Sequence, residues 1–318
     1  MKNKLPKIIV ILGPTASGKT DLSLALAKKF NGEIVSADSR QVYKKMDIGT
    51  AKPMGEWKKG DYIVGGVTHH LMDIIDPGKG FSLADYKVMA AKFIEDILSR
   101  NKLPIVVGGT GLYIQALVEN LDIPKVGPNK SLRKQLEKKK PAELAEMLVK
   151  IDPAVASGYG GQGPVSAYKI DLKNPRRVLR ALEVFMLSGE SFFKQQTKSK
   201  PVYRVLQIGL DLPREELYSR INTRVDKQIE EGLVGETEGL SARYKWSLPS
   251  MSGIGYKQMG FYLRGEAALD EATAILKRDT RRYAKRQVTW FKRDKKINWI
   301  KSTNLALAEK LIKEFLRK

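Results

Sequence analysis

The segment at residues 13–20 reads GPTASGKT and matches the phosphate-binding loop (P-loop) pattern G-x-x-x-x-G-K-[ST]. A short apolar run at residues 7–12 precedes it and a helical pattern reaching Phe30 follows it, which is the context that this loop requires. In such a loop, backbone N–H groups and a helix N-terminus bind a phosphate chain. Lys19 would add positive charge, and the Thr20 hydroxyl can ligate Mg²⁺. The predicted phosphate site comprises Gly13, Pro14, Thr15, Ala16, Ser17, Gly18, Lys19 and Thr20.

One carboxylate, Asp38, follows the second predicted strand at residues 33–37. The carboxyl ends of parallel strands line one crevice, so the P-loop, Asp38 and Thr110 should converge there. A carboxylate facing bound phosphates repels them, so we interpret Asp38 as a general base or a metal ligand. The alternative is that Asp38 only caps the turn that follows. The third strand, at residues 104–107, runs into Gly-Gly-Thr without a carboxylate, which disfavours a motor or ATPase.

Two histidines and three arginines form two further clusters of polar residues, for which a structural and a functional role must each be weighed. His69 and His70 are adjacent, so in a strand their side chains would face opposite sides, which favours a structural role over a metal site. Arg176, Arg177 and Arg180 have the i, i+3 and i, i+4 spacing that gathers guanidiniums at one helix start. We interpret these arginines as groups that contact nucleic acid, and the alternative is a solvated surface.

The composition points to a polyanionic partner. The chain of 318 residues has 57 Lys and Arg against 35 Asp and Glu, a formal net charge of +22, which fits nucleic acid or an anionic membrane. Basic residues are densest at residues 277–296, with Tyr283, Trp290 and Phe291 between them, which predicts a track for a nucleic-acid backbone. The alternative there is a solvated basic helix with its aromatic side chains turned inward.

Other classes of protein are excluded or disfavoured by what the sequence lacks. It contains no cysteine, which excludes disulfides, thiolate zinc sites and a cysteine nucleophile. Its apolar run near the N-terminus, residues 8–12, is too short to span a membrane or to form a signal peptide. We therefore expect no membrane association and a cytoplasmic location.

Strands and helices alternate through much of the chain, which predicts an α/β fold. The expected architecture is a P-loop NTPase-like parallel sheet with helices on both faces, formed by residues 1–120 and 201–318. Residues 121–200 differ in character: they hold 16 basic and 8 acidic residues, and we predict a helical insertion domain. Within it, residues 157–164 read as a glycine-rich loop.

Several sequence blocks together resemble the tRNA dimethylallyltransferase family. They occur in that family's order and span most of the chain, and we know no other P-loop family that combines them. The blocks are GPTASGKT at 13–20, SADSRQVY at 36–43, MDIGTAKP at 46–53, HHLMDIIDP at 69–77, VGGTGLY at 107–113, NPRRVLRALEV at 174–184, LYSRINTRVD at 217–226, GIGYKQM at 253–259 and AKRQVTW at 284–290.

The resemblance implies transfer of a dimethylallyl group from dimethylallyl pyrophosphate to the exocyclic amine of the adenosine immediately 3′ of a tRNA anticodon. It implies that the P-loop holds the donor pyrophosphate with Mg²⁺ rather than ATP, that Asp38 is the general base, and that Arg220 and Arg224 lie near the pyrophosphate. It further implies a monomer whose insertion domain contacts the anticodon arm. The residues implied to contact tRNA are Asp38, Ser39, Arg40, Gln41, Thr110, Arg133, Arg176, Arg177, Val178, Leu179, Arg180, Ser252, Gly253, Ile254, Gly255, Tyr256 and Lys257.

Two other functional classes remain open from the residues alone. A small-molecule or nucleoside kinase could use the same P-loop scaffold, although it would not need a net charge of +22. A non-catalytic RNA-binding protein could also carry a P-loop. Turnover of ATP would favour the kinase, whereas bound tRNA together with an effect of an allylic pyrophosphate would favour transfer.

Overall fold

The structure is a computed structural model that describes residues 5–156, 170–195, 197–301 and 304–318. The chain divides into two compact units. One, here called the core unit, combines Met1–Val118 with Pro201–Lys318, and the other, the insertion unit, is Glu119–Lys200. The boundaries predicted from sequence, after residues 120 and 200, lie within two residues of this division. The predicted glycine-rich loop at 157–164 lies outside the described residues.

Eight strands of the core unit form one sheet in the order β3-β4-β5-β2-β6-β1-β7-β8. The three strands predicted at residues 7–12, 33–37 and 104–107 are present as β1, β2 and β6, and the pairs that join β5, β2, β6, β1, β7 and β8 are parallel. A short antiparallel extension, β3-β4-β5, was not predicted, because strands of three or four residues carry too little alternation to be recognised. The strands are β1 (Lys7–Leu12), β2 (Gly32–Ser36), β3 (Glu56–Lys58), β4 (Asp61–Val64), β5 (Val67–His70), β6 (Leu103–Gly108), β7 (Arg204–Asp211) and β8 (Asn298–Lys301).

Helices cover both faces of the sheet, as the predicted fold requires. One face of β1 packs Ile8 and Val10 into a cluster with residues of α2 and α3, and the other packs Ile9 and Ile11 with residues of α1 and α13. The core-unit helices are α1 (Lys19–Lys29), α2 (Leu83–Ser99), α3 (Gly111–Val118), α9 (Arg214–Glu230), α10 (Leu233–Ser241), α11 (Tyr256–Leu263), α12 (Leu269–Phe291) and α13 (Leu305–Arg317); those of the insertion unit are α4 (Lys130–Leu136), α5 (Pro141–Ile151), α6 (Pro153–Ala156), α7 (Pro175–Ser188) and α8 (Phe192–Gln195).

Local signals in the sequence explain where individual helices begin and end. A capping box precedes α2: Asp85 N donates to Ser82 Oγ at 3.2 Å, and Ser82 N donates to Asp85 Oδ2 at 2.8 Å. In the insertion unit, α7 starts after Asn174, whose side chain accepts from Arg177 N, and ends at Gly189 with φ of 73°. No described helix combines the length and the apolar character that a bilayer crossing requires.

Candidate active site

The loop between β1 and α1 has the backbone geometry of a phosphate-binding loop. Gly18, which precedes α1, has φ of 85°, in the left-handed region that favours glycine. A Cβ atom on Gly13 would lie 3.2 Å from the carbonyl oxygen of Leu210, so this turn also needs glycine at its start. The Ser17 hydroxyl is fully buried and has no hydrogen-bond partner among the described residues. A buried hydroxyl of this kind is suited to donate to an anionic oxygen.

Two cationic side chains, Lys19 and Arg224, converge on this loop. Lys19 Nζ donates to Pro14 O at 2.5 Å, and Arg224 Nη1 donates to Thr15 Oγ1 at 3.2 Å. Burial and the charge of Arg224 lower the pKa of Lys19 from 10.5 to about 7, although the charge of Asp38 acts in the opposite direction. Burial also lowers the pKa of Arg224. A bound anion would stabilise both charges, so the electrostatics favour an anionic ligand.

These groups line a cavity of about 510 Å³ in the core unit. Its walls come from the P-loop, the carboxyl ends of β2 and β6, the loop after β2, and the faces of α9 and α12. This volume is typical of sites for small molecules. The residues predicted from sequence that line it are Thr15, Ala16, Ser17, Gly18, Lys19, Thr20, Asp38, Ser39, Arg40, Gln41, Arg224, Ser252, Gly253, Ile254 and Tyr256.

Asp38 lies at the end of β2, where the strand order predicts it. One carboxylate oxygen, Oδ1, accepts from Arg40 N at 2.8 Å and from Gln41 N at 3.3 Å, so the side chain does cap the next turn. Asp38 also lines the cavity and its charge acts on Lys19 and Tyr283, raising the pKa of both. The capping role and a role in the cavity are therefore compatible, because the turn uses only one of the two carboxylate oxygens.

The loop after β6 is held directly against Asp38. Thr110 N donates to Ala37 O at 3.1 Å, and Ser39 N donates to Thr110 Oγ1 at 3.0 Å. Gly108 permits this contact, because a Cβ atom there would lie 2.2 Å from Ala37 O. The structure thus brings the P-loop, Asp38 and Thr110 together, as the sequence predicts.

A second rim of the cavity joins two stretches that the resemblance assigns to tRNA. Arg40 Nη1 donates to Pro249 O, beside Ser252, whose Oγ also donates to that carbonyl at 2.8 Å. Tyr256 is fully buried, so its ring shapes the wall of the cavity, whereas Lys257 is exposed. Within the 252–257 stretch, Gly253 lies next to Arg40, since a Cβ atom on Gly253 would lie 3.6 Å from Arg40 Cδ, whereas Lys257 does not line the cavity.

Glu236, which the sequence analysis does not single out, supports this rim. Its carboxylate accepts from three consecutive amides, those of Asp47, Ile48 and Gly49, at 2.9 to 3.0 Å. It also accepts from Tyr256 Oη at 2.7 Å. These contacts tie the MDIGTAKP block to the GIGYKQM block, and no local pattern in the sequence could reveal such a pairing of distant segments.

Arg220 does not join the site. It lies on α9, one helical turn from Arg224, but its guanidinium pairs with Glu216 at 2.7 Å and does not line the cavity. The expectation that Arg220 lies near the pyrophosphate is therefore not supported by the geometry. Arg220 and Arg224, four residues apart, share a helix face only approximately. The ion pair between Arg220 and Glu216, one turn earlier, holds the Arg220 side chain along the surface of α9.

In the insertion unit, the predicted arginines have two different environments. Glu183 is fully buried; it accepts from Arg133 Nε and Nη2, both at 2.8 Å, and from Arg180 Nη1 at 2.6 Å. These contacts with Arg133, Arg180 and the backbone N–H of Asn129 lower the pKa of Glu183 against the effect of burial. Arg133 and Arg180 therefore hold the fold of this unit together, whatever else they contact.

The rest of this cluster divides between surface and core. Arg176 and Arg177 are exposed and form no ion pair within the described part of the chain. Leu179 is half-buried, and Val178 is fully buried in the apolar core of the insertion unit. Helical periodicity turns the Val178 side chain inward, so this side chain offers no accessible surface for the tRNA contact that the resemblance implies.

Helix α12 also contributes to the cavity, which was not predicted from the sequence. Its basic side chains at 278, 282, 285 and 286 are exposed, as a nucleic-acid track requires. Tyr283 and Gln287 of the same helix line the cavity, and so does Arg286. Tyr283 and Gln287 are four residues apart and Trp290 follows one turn later, a spacing that is typical of one inward helix face. The prediction of a nucleic-acid track for this segment used its charge and not this spacing.

The two histidines form contacts within the core unit that fit the structural interpretation. His70 Nε2 lies 2.7 Å from a carboxylate oxygen of buried Glu33, and its ring stacks on Phe93. His69 Nδ1 lies 2.9 Å from Val67 O. Burial lowers the pKa of His69, which also borders the cavity.

The donor set around the P-loop fits Mg²⁺. The exposed Thr20 at the start of α1 and the carboxylates of Asp21 and Asp38 all line the cavity, and Mg²⁺ prefers such oxygen ligands together with substrate phosphates. Among the described residues, no group of three or more His, Asp or Glu side chains could hold a metal ion without further ligands. This set is consistent with a cation that the protein and a phosphate share.

The sequence of this chain is similar to family models and to known proteins over nearly its full length. Residues 41–294 match a family model described as IPP transferase, and residues 6–61 match one described as isopentenyl transferase. A tRNA dimethylallyltransferase of Pelotomaculum thermopropionicum is 44% identical over 322 aligned positions, which cover 99% of this chain and 97% of the relative. One of Acetivibrio thermocellus is 46% identical, covering 97% of this chain and 96% of the relative.

Solved structures are similar over nearly the full length. The tRNA isopentenylpyrophosphate transferase of Bacillus halodurans is 39% identical with a TM-score of 0.68, covering 98% of this chain and 95% of the other. A eukaryotic dimethylallyltransferase, described as acting on tRNA, is 30% identical with a TM-score of 0.76, covering 95% of this chain and 75% of the other. The P-loop NTPase-like α/β fold predicted from sequence is thereby confirmed.

Proposed function

This chain belongs to the tRNA dimethylallyltransferase family, and from that membership we propose the chemistry of its cavity. The enzyme transfers a dimethylallyl group from dimethylallyl pyrophosphate to the exocyclic amine of the adenosine immediately 3′ of the tRNA anticodon. Asp38 is the general base, and the P-loop holds the pyrophosphate. The observation that carries this proposal is a cavity lined by Asp38 together with the two converging cations Lys19 and Arg224, in which the charge of Asp38 acts on Lys19.

The donor end of the cavity suits a leaving pyrophosphate. As the allylic C–O bond breaks, negative charge grows on the departing oxygen, and preorganised positive groups stabilise it. Lys19, Arg224 and the loop amides that remain free can serve in this way, while the Ser17 hydroxyl can donate to a phosphate oxygen. Mg²⁺ held by Thr20 and the phosphates would supply further neutralising charge when it is bound.

The acceptor end needs a base. The exocyclic amine of adenine is a weak nucleophile because its lone pair is delocalised into the ring. As the new C–N bond forms, the amine must lose a proton, and we assign its acceptance to the Asp38 carboxylate oxygen that the turn does not use. The carbon–nitrogen bond forms as the carbon–oxygen bond breaks, so the products are the alkylated base, protonated Asp38 and free pyrophosphate.

The target base must leave its stack to reach Asp38, and the enzyme must therefore bind the surrounding RNA. The rim around Arg40 and Lys257, together with Thr110, is suited to hold the extruded nucleotide. The exposed cations of α12 and the insertion unit's Arg176 and Arg177 would contact phosphates of the anticodon arm. We further propose that the enzyme acts as a cytoplasmic monomer.

The direct test incubates the enzyme with isotopically labelled dimethylallyl pyrophosphate and an unmodified tRNA transcript. The tRNA is then digested and its nucleosides are analysed for the label. The label should appear on the adenosine immediately 3′ of the anticodon and should be lost when that adenosine is replaced by guanosine. A matched reaction with γ-labelled ATP tests for a kinase. Transfer of the γ-phosphate without transfer of the allyl group would overturn the proposal.

A further inference from the structure

Gln287 of α12 joins the two loops that form the donor and acceptor ends of the cavity. Its Oε1 accepts from Thr15 N in the P-loop at 2.8 Å, and its Nε2 donates to Gly109 O in the loop after β6, also at 2.8 Å. The side chain is only 6% exposed, so water does not compete freely for these bonds. One buried carboxamide therefore links the loop that contains Lys19 to the loop that contains Thr110.

The chemistry of these two bonds requires a carboxamide. The N–H of Thr15 needs an acceptor and the carbonyl of Gly109 needs a donor, and a carboxamide presents one of each. A carboxylate would keep the first bond and place negative charge against the Gly109 carbonyl. An aliphatic side chain would leave both backbone groups without this partner.

The glycine at position 109 is matched to this side chain. A Cβ atom on Gly109 would lie 2.2 Å from Gln287 Nε2, and its next contacts would be at 3.4 Å. One helical turn further along α12, Trp290 covers Gly111 in the same way, with its Cδ1 and Nε1 2.3 Å from where a Cβ atom would be. Helix α12 thus fits against the loop on both sides of Thr110.

A third contact strengthens this arrangement. The side chain of Tyr283, one turn before Gln287, interacts with Thr110. Thr110 in turn accepts from Ser39 N, next to Asp38. The inward face of α12 therefore contacts the P-loop at one point and the base-bearing end of β2, through Thr110, at another.

We infer that Gln287 is a positioning residue that keeps the P-loop and the Thr110 loop in register, so that the donor carbon and the attacking amine align; this inference rests on the proposed function. Gln287 contacts backbone groups of the two loops rather than the reacting atoms. Its contribution should appear in the rate of the chemical step, because a displacement of about 1 Å between reacting groups can cost about 100-fold in rate.

The first test compares Gln287→Glu and Gln287→Leu with the wild-type enzyme. We expect kcat to fall by about 10- to 100-fold in both variants, while Kd for tRNA and KM for dimethylallyl pyrophosphate change by less than about threefold. The matched control is Gln207→Leu, which removes another buried glutamine of the core unit whose Nε2 donates to Asp294, outside the cavity. This control should keep its kcat.

The second test separates positioning from a loss of stability. Gly109→Ala should lower kcat in the wild-type background, because the new methyl group displaces Gln287 Nε2. In a Gln287→Ala background that atom is gone, so the same change at position 109 should add less than about a twofold loss. Two losses that simply multiply would show that the residues act independently and would overturn the inference.

Other outcomes are equally decisive. An unchanged kcat in folded Gln287→Glu and Gln287→Leu, or a loss confined to the affinity for the donor, would reject positioning and leave the proposed function intact. If the wild-type enzyme transferred no label to tRNA, both proposals would fail. Circular dichroism melting of every variant identifies any that lose activity by unfolding.

Discussion

At the residue scale, the cavity is lined by charged side chains whose environment bears on both the fold and the binding of a ligand. Asp38 caps a turn with one oxygen and faces the cavity with its carboxylate. Lys19 is charged only with difficulty, because burial and Arg224 both lower its pKa. Charged groups in such environments change their protonation when a ligand of opposite charge binds.

The role of Asp38 predicts a specific effect of Asp38→Asn. Asparagine keeps an oxygen that can accept from Arg40 N, so the turn and the binding of tRNA should survive, with affinity changing only a few-fold. Turnover should fall by about 10² to 10⁴, the usual contribution of a general base. Single-turnover rates and tRNA affinity, measured beside Asp226→Asn on the exposed surface of α9, provide the check. Lost affinity with turnover retained at saturation would make Asp38 a binding residue.

The lowered pKa of Lys19 predicts that donor binding is linked to proton uptake. In the free enzyme, Lys19 is mostly charged below pH 7 and mostly neutral above it. A bound pyrophosphate stabilises the charged form, so donor affinity should fall as pH rises above 7, and at pH 8 binding should take up about one proton at this residue. Titration calorimetry in buffers of different ionisation enthalpy measures that uptake. Lys19→Arg, which stays charged, should lack it; equal uptake in both proteins would exclude Lys19 as its source.

At the element scale, the far end of the sheet is held by a buried ion cluster. Glu33 at the start of β2 accepts from Arg100, which follows α2, and from Lys102, which precedes β6, and it also contacts His70 of β5. These contacts outweigh the opposite effect of burial and lower the pKa of Glu33 from 4.5 to about 2. The cluster fixes β2 in place, and Asp38 lies at the other end of the same strand.

Replacement of Glu33 should therefore affect stability in a pH-dependent way. The lowered pKa corresponds to about 3 kcal/mol of folding free energy, present in full above about pH 4.5 and lost as pH falls towards 2. Glu33→Gln should cost roughly that amount in urea unfolding at pH 7, and the difference from wild type should shrink towards pH 3. A difference that stays constant with pH would show that packing, not charge, dominates at this position.

At the scale of the whole molecule, the net charge of +22 is divided between surface and interior. Arg133 and Arg180 are engaged by Glu183, whereas Arg176 and Arg177 are exposed. Only cations that can reach phosphates release counterions when RNA binds, so the net charge alone does not measure the strength of the interface.

The double variant Arg176→Ala/Arg177→Ala should weaken tRNA binding and reduce the log–log salt slope by about 1.4 to 1.8, because each lost phosphate contact removes roughly 0.7 to 0.9. Turnover at saturating tRNA should remain close to wild type. The matched control, Lys310→Ala/Lys313→Ala, removes two exposed cations of α13 and should leave the slope nearly unchanged. Equal slopes for wild type and the arginine variant would place these arginines outside the interface.

Much of the site could be predicted from sequence because its parts are locally encoded. The P-loop of residues 13–20 is a contiguous segment between a strand and a helix, and Asp38 and Thr110 follow strand ends that a parallel sheet must bring to one edge. The ends of α7 and the capping box of α2 depend on neighbouring residues alone. Periodicity and short motifs record this kind of information directly.

Only the tertiary structure decided which side chains from distant segments meet. Thr15 and Gln287 are 272 residues apart, and their contact depends on how α12 packs against the sheet. Packing of the insertion-unit helices likewise engaged Arg133 of α4 with Glu183 of α7. The sequence alone does not reveal whether an arginine will pair with a phosphate of the ligand or with a buried carboxylate of the protein. Burial and geometry make that choice, because an unpaired charge inside the protein is too costly to persist.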